Sequence, residues 1–183
     1  MDLFTAIESR RSIRAYKDTP VKDEDIAKLL DLAQKAPNVA CNWHFTVIRN
    51  KEFMNEISEA NRKIMLASGN PKNVAKAEDP NFNCFWHAPC AIVLSCDIKF
   101  PGGDASITMA GENICLAAQE LGLATCFMGS SNMCMLMPGN EEIVKRLGLP
   151  ENYVPMFSIA LGYPAQEAGP RPPAKPNTVN YID

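Results

Sequence analysis

The stretch from residue 8 to residue 16, ESRRSIRAY, sets Arg10, Arg11 and Arg14 around Ser12. Three guanidinium groups this close repel one another unless solvent or an anion separates them, so the stretch is either a solvated helix end or an anion site. Arg10, Ser12 and Arg14 follow one another at i, i+2 and i+4. In extended backbone all three point to one side, with Arg11 and Ile13 on the other; in a helix Arg10 and Arg14 remain neighbours. Either geometry brings two planar forks together with a hydroxyl between them. That set suits a phosphate dianion or the polar edge of a heterocycle, because each guanidinium donates two parallel charge-assisted bonds.

A second group with chemical potential is CFWHAPC, which spaces Cys84, His87 and Cys90 at intervals of three. A closed zinc site takes four ligands, usually in paired knuckles, and the sequence has no second knuckle. A Cys/His nucleophilic pair drawing on His44 or His87 has no flanking signature either. Seven cysteines without a CxxC pair favour free thiols in a reducing compartment, most of them buried and inert. No metal is expected.

The elements that must position these residues follow from periodicity. At 183 residues, with 46% hydrophobic and 21% charged residues, the chain fits a single domain spanning 1–183 with a real core. A net charge of -3 argues against a nucleic-acid partner, and the N-terminal MDLFTAIESR carries neither a signal peptide nor a membrane span. A cytoplasmic protein is the expectation. A first helix over about residues 2–10 is capped by Asp2, and a second over about 22–35 turns Ile26, Leu29, Leu30 and Ala33 inward and stops at Pro37. A strand at 44–49 and a helix at 51–67 come next. Residues 68–87, rich in Gly, Asn, Pro and Lys and without a period, are expected to form a loop or lid, with Phe82, Phe85 and Trp86 as specificity candidates.

CAIVLSC at 90–96 is a continuous apolar run, hence a strand buried on both faces. The helix from residue 104 carries Ile107, Met109, Ala110, Ile114, Cys115, Leu116, Ala117 and Leu121 and leaves little polar face, so part of it should meet another subunit. A strand at 124–129, a short helix between Asn140 and Gly148, and a strand at 154–162 complete the pattern. The proline-rich tail should be extended or wrapped over something. Alternating helices and strands would suggest a doubly wound parallel sheet, yet there is no GxGxxG after a strand, and PGGDAS lacks the lysine of a phosphate loop. Any phosphate must then be held by side chains, which returns the argument to the arginines.

RRSIRAY after a first short helix, APNVACNWHFTVI after the second, ENICLAAQELGLATCFMG, and IALGYP followed by PRPP resemble, in order and spacing, the FMN-dependent nitroreductase family. The resemblance runs from about residue 3 to residue 175. It implies an α+β fold with a mainly antiparallel sheet flanked by helices, and a homodimer with swapped tails and FMN in the subunit interface. It also implies NADH or NADPH as reductant and a small-molecule acceptor such as a nitroaromatic or quinone, reduced in ping-pong order through flavin N5.

Carried onto this chain, the resemblance makes Arg10 and Ser12 ligands of the FMN phosphate and ribityl chain, with Arg11 nearby, and sets Arg14 against the N1 and O2 edge of the flavin. Arg171 matches a C-terminal phosphate ligand, Met128 and Gly129 a main-chain approach near N5, and Pro37 and Asn38 residues reaching the ring from the other subunit. Asn42 matches an asparagine of the family in a segment that is shorter here. No side chain is expected as a catalytic acid or base. The alternatives are a flavin carrier or lyase without redox turnover and, more distantly, a thiol or metal enzyme using Cys84, His87 and Cys90.

Overall fold

The run Cys90–Asp97 forms β2, and its neighbours explain why it is apolar throughout. The computed structural model describes residues 1–182, apart from the side chains of Ser130 and Met133. Among the described residues the strands are β1 (His44–Ile48), β2, β3 (Ala124–Met128) and β4 (Tyr153–Gly162), in the order β1-β2-β4-β3 with every pairing antiparallel. The helices are α1 (Leu3–Ser9), α2 (Asp23–Ala33), α3 (Lys51–Ala67), α4 (Pro71–Ala77), α5 (Gly103–Glu120), α6 (Ser130–Met135) and α7 (Glu141–Arg146).

Alternate residues of β2 enter two cores. Ile92, Leu94 and Cys96 pack with Leu29 of α2 and with Ile107 and Ile114 of α5. Ala91 and Val93 pack with Ile57 of α3 and Met135 of α6. Helices therefore cover both faces of the sheet. An unbroken apolar strand commonly marks a parallel sheet; here an antiparallel sheet has it for the same reason, burial on two sides. The α+β expectation holds and the doubly wound one does not.

Close packing fixes the long helix on the sheet. A Cβ at Gly111 of α5 would lie 2.5 Å from the Phe127 ring and 2.8 Å from Leu94, so glycine lets α5 lie directly on β2 and β3. The chain itself buries one face of α5, including Ile107, Ala110, Gly111, Ile114 and Cys115, but Met109 is exposed, as are Leu3, Phe4 and Ile7 of the adjoining α1. Asp2 caps α1 by accepting from the Thr5 N–H at 3.0 Å. The segment expected to be irregular contains α4, started by Asn70, which accepts from the Lys72 N–H, and by Pro71 at its first position. The second element missed in the sequence is α6, a short helix directly after Gly129.

The arginine segment is stitched to the sheet after α1 ends at Ser9. Ser12 bridges Thr125 in parallel, and the Ile13 N–H donates to the Thr125 carbonyl at 3.0 Å. Tyr16 then bridges Pro164 beyond β4, flanked by Lys17 N–H to Tyr163 carbonyl and Ala165 N–H to Ala15 carbonyl. Among the described residues no helix is long and apolar enough to cross a membrane.

Candidate functional site

Arg10 has left the helix at φ -54° and ψ 129°, and Ile13 is buried. The extended geometry is thus the one adopted, with Ile13 turned into the core. Arg10, Ser12 and Arg14 gather around Cys126 of β3. Burial pushes the Cys126 thiol above its ordinary range, and the charge of Arg14, a hydrogen bond with Ser12 and the charge of Arg10 pull it back. Ser12 and Arg14 thus touch the thiol, while Arg10 acts on it through its charge alone.

The basic residues divide their partners. Arg10 donates from Nε to Glu112 Oε1 of α5 at 2.9 Å. Arg11 turns the other way: its Nη1 donates to the carbonyls of Glu8 at 2.7 Å and Arg10 at 2.8 Å, and its Nε to that of Gly169 in the tail. Arg171 donates from Nη2 to the carbonyls of Ile7, Glu8 and Arg10. Two cations thus satisfy the open carbonyls at the C-terminus of α1, where the helix dipole favours positive charge. They also tie the tail to the segment that precedes Ser12.

Gly129 follows β3, exposed, at φ -99°. A Cβ there would meet only the Phe157 ring, at 3.9 Å, so neither backbone conformation nor packing within the chain requires glycine. Met128 buries its side chain in the second core, leaving its backbone at the strand end.

Pro37 and Asn38 lie elsewhere. They precede β1, at the opposite edge of the sheet from β3, with two strands between. At about 4.8 Å per strand, the edge strands stand roughly 14 Å apart. Asn38 shapes its loop by accepting from the Cys41 N–H at 2.7 Å and donating to the Ala36 carbonyl at 3.2 Å, around Ala40 and Cys41 in the left-handed region. Asn42 is buried, and both ends of its amide engage Asp97: Oδ1 accepts from the N–H at 2.8 Å and Nδ2 donates to the carbonyl at 3.1 Å. It pins the loop to the end of β2 instead of standing at the surface beside Asn38.

Arg14 opens onto a cleft of about 970 Å³ between α3, α4 and the chain before β2. Tyr16, Ile64, Met65, Phe82 and Trp86 give it apolar walls, and Lys76 and Asn81 line it as well. Phe85 does not reach it, being fully buried in the second core. The Tyr16 hydroxyl donates to the Ile13 carbonyl at 2.6 Å, and burial raises its ionisation well above the usual phenol range. Tyr16, Lys76, Asn81 and Glu112 carry no signal in the sequence, since only the fold brings Glu112 to Arg10 and the other three to the cleft that Arg14 lines.

The CFWHAPC group does not assemble a metal or thiolate site. Cys84 and Cys90 are buried, with burial pushing both thiols up to about 12, whereas His87 is exposed. Among the described residues no group of three or more His, Cys, Asp or Glu could hold a metal ion.

A two-faced antiparallel sheet with an arginine and serine segment laid on its edge strand places the chain in a class. The model of the nitroreductase family matches residues 7–163, and the chain belongs to that family. A protein of Methanothermobacter thermautotrophicus named "Putative NADH dehydrogenase/NAD(P)H nitroreductase" is 35% identical over 188 residues, covering 98% of this chain and 86% of that protein. The FMN reductase [NAD(P)H] of Bacillus subtilis is 28% identical, covering 98% of this chain and 73% of its own length. The crystal structure of a nitroreductase with bound FMN from Bacteroides fragilis superposes with a TM-score of 0.89 at 26% identity, covering 100% of both chains.

Proposed function

We propose that the chain is an FMN-dependent NAD(P)H oxidoreductase of the nitroreductase type, a cytoplasmic homodimer that reduces small nitroaromatic, quinone or related acceptors. The observation that carries this reading is the arginine segment paired with β3, with Ser12 bridging Thr125, Arg10 held on Glu112 and Arg14 lining the cleft beside it. The names of the relatives and the FMN in the Bacteroides fragilis structure support it.

The residues fit a phosphate-bearing flat heterocycle. With Nε of Arg10 on Glu112, its two terminal nitrogens remain to fork onto a phosphate, and the Ser12 hydroxyl adds a neutral donor. Arg171 uses Nη2 on α1 and keeps Nη1 for the same anion, while Arg11 braces the helix end beneath it. Gly129 and the Met128 backbone leave room for a planar ring against the main chain. FMN held there would supply two-electron hydride chemistry through N5, between NAD(P)H and an acceptor in ping-pong order. Arg14 would hold a fixed positive charge at the edge where reduction leaves negative charge, which would favour the reduced state. No side chain is needed to donate or remove a proton during hydride transfer.

The loop of Pro37 and Asn38 joins this site through a second copy. Within one chain it leads into β1, the edge strand opposite β3, and its Val39 meets Ser106 near the start of α5, while the exposed Leu3, Phe4, Ile7 and Met109 offer an apolar face for pairing. The tail, with Val179, Tyr181 and Ile182 exposed, is suited to reach across a partner.

Colour tests the proposal. Protein reconstituted with FMN is expected to be yellow and to bleach with NADH or NADPH without oxygen. Yellow protein that does not bleach favours a flavin carrier or lyase, and protein that takes up no FMN overturns the proposal.

A further inference from the structure

The chain before β2 holds two successive non-glycine residues in the left-handed region, Trp86 at φ 50° and His87 at φ 56°. Such residues are destabilising and persist where their surroundings over-determine them. Asn83 does so here: its Oδ1 accepts from the N–H groups of Phe85 at 2.9 Å and His87 at 3.2 Å, and its Nδ2 donates to Asn55 at 3.2 Å. Trp86 N–H donates to the Asn83 carbonyl and Ala88 N–H to that of Phe85, both at 3.0 Å, with Phe85 anchored in the core. The strained turn presents the Trp86 ring to the cleft.

The group that meets the ring is Arg14, whose Cζ lies 5.3 Å from the ring centroid. Arg14 is otherwise exposed, with a long 3.4 Å hydrogen bond from Nη1 to the Ser12 carbonyl and a contact with the Cys126 thiol. Among the described residues no carboxylate forms an ion pair with it, in contrast to Arg10 and Glu112. The difference matters chemically. A carboxylate would fix a guanidinium and cancel its charge, whereas an aromatic face attracts the cation through its quadrupole and leaves the net charge in place.

We propose that Trp86 is the positioning residue for Arg14: it holds the guanidinium at the redox edge of the cofactor with its charge intact, and so raises the reduction potential. The inference rests on the functional reading above, in which Arg14 faces the flavin edge. Without the ring, only the Cys126 contact and the long bond to Ser12 restrain the exposed guanidinium, which then shifts toward solvent, where its charge is screened.

The experiment compares reduction potentials of the full-length FMN holoprotein for wild type, Trp86→Leu, Trp86→Phe, Arg14→Gln and the Arg14→Gln/Trp86→Leu double variant. Trp86→Leu is expected to weaken the preference for reduced over oxidised FMN about 3- to 10-fold. For a two-electron couple this lowers the potential by about 15–30 mV. Trp86→Phe gives a smaller shift of the same sign, and Trp86→Leu has no further effect in the Arg14→Gln background. A wild-type potential in Trp86→Leu, or an equal shift with Arg14 absent, overturns the inference while the functional proposal stands. If Trp86→Leu does not hold FMN, Trp86→Phe decides: a lowered potential that disappears on Arg14→Gln supports the inference, and an unchanged one overturns it. Wild-type protein that takes up no FMN overturns both proposals.

Discussion

Arg10 donates from Nε to Glu112 across 2.9 Å, so a carboxylate on α5 stands beside the fork that faces the proposed phosphate site. Both side chains are partly exposed, 24% and 46%, which keeps the ion pair itself worth little. Its effect on a bound dianion is larger, since a negative charge within a few ångströms opposes a second one. Glu112→Gln is expected to tighten FMN binding about two- to fivefold, and Arg10→Ala to weaken it by about tenfold or more. Riboflavin, which lacks the phosphate, should show neither change in the same fluorescence titrations.

Arg14 and Arg171 separate binding from redox tuning. Arg14→Ala is expected to lower the flavin reduction potential more than it lowers FMN affinity. Arg171→Ala should mainly weaken binding and, by releasing the carbonyls of Ile7, Glu8 and Arg10, expose the tail to protease. Potentials, affinities and limited proteolysis on the same samples check the distinction; equal changes in both variants count against it.

Two glycines give opposite expectations. At Gly111 a methyl collides with Phe127 and Leu94, so Gly111→Ala should cost about 1–3 kcal/mol of stability and lower Tm. At Gly129 the same methyl meets only ordinary contact, so Gly129→Ala should leave stability within about 0.5 kcal/mol while weakening FMN binding. Thermal unfolding of the apoprotein and FMN titration together distinguish packing from approach to the cofactor.

The grouping of Arg10, Ser12 and Arg14 was legible from their spacing, but extended and helical backbone both allowed it; the end of α1 at Ser9 and the burial of Ile13 decide for the extended one. The two cores on either side of Cys90–Asp97 were legible only as burial; antiparallel pairing came from the family resemblance, since apolar strands look alike in either sheet. Residues 71–77 were hidden by composition, although Asn70 and Pro71 are a helix-start signal. Glu112 and Asn42 could not be read from local sequence. One ordinary glutamate meets Arg10 only after α5 crosses the sheet, and Asn42 meets Asp97 only once β1 and β2 are paired. Trp86 was legible as an aromatic of interest, but its left-handed backbone and its place over Arg14 depend on Asn83 and the buried Phe85.

The buried thiols make stability depend on pH with a definite sign. Burial pushes Cys84, Cys90 and Cys115 up to about 12 and Cys134 to about 11, from an ordinary 9.0. Below pH 9 both folded and unfolded chains hold these protons, and the thiols contribute no slope. Above it the unfolded chain loses protons that the folded chain keeps, so stability falls as pH rises, by up to about 1.4 kcal/mol per pH unit for each thiol. The urea midpoint, corrected for the titration of lysines and tyrosines by comparison with a variant carrying Ala at Cys84 and Cys90, should decline between pH 9 and 10.5 more steeply in the wild type. Cys41, the exposed cysteine among the described residues, should meanwhile react with iodoacetamide at neutral pH in the folded protein, and the buried six only on unfolding. Equal alkaline slopes in the two proteins would contradict the burial assigned to Cys84 and Cys90.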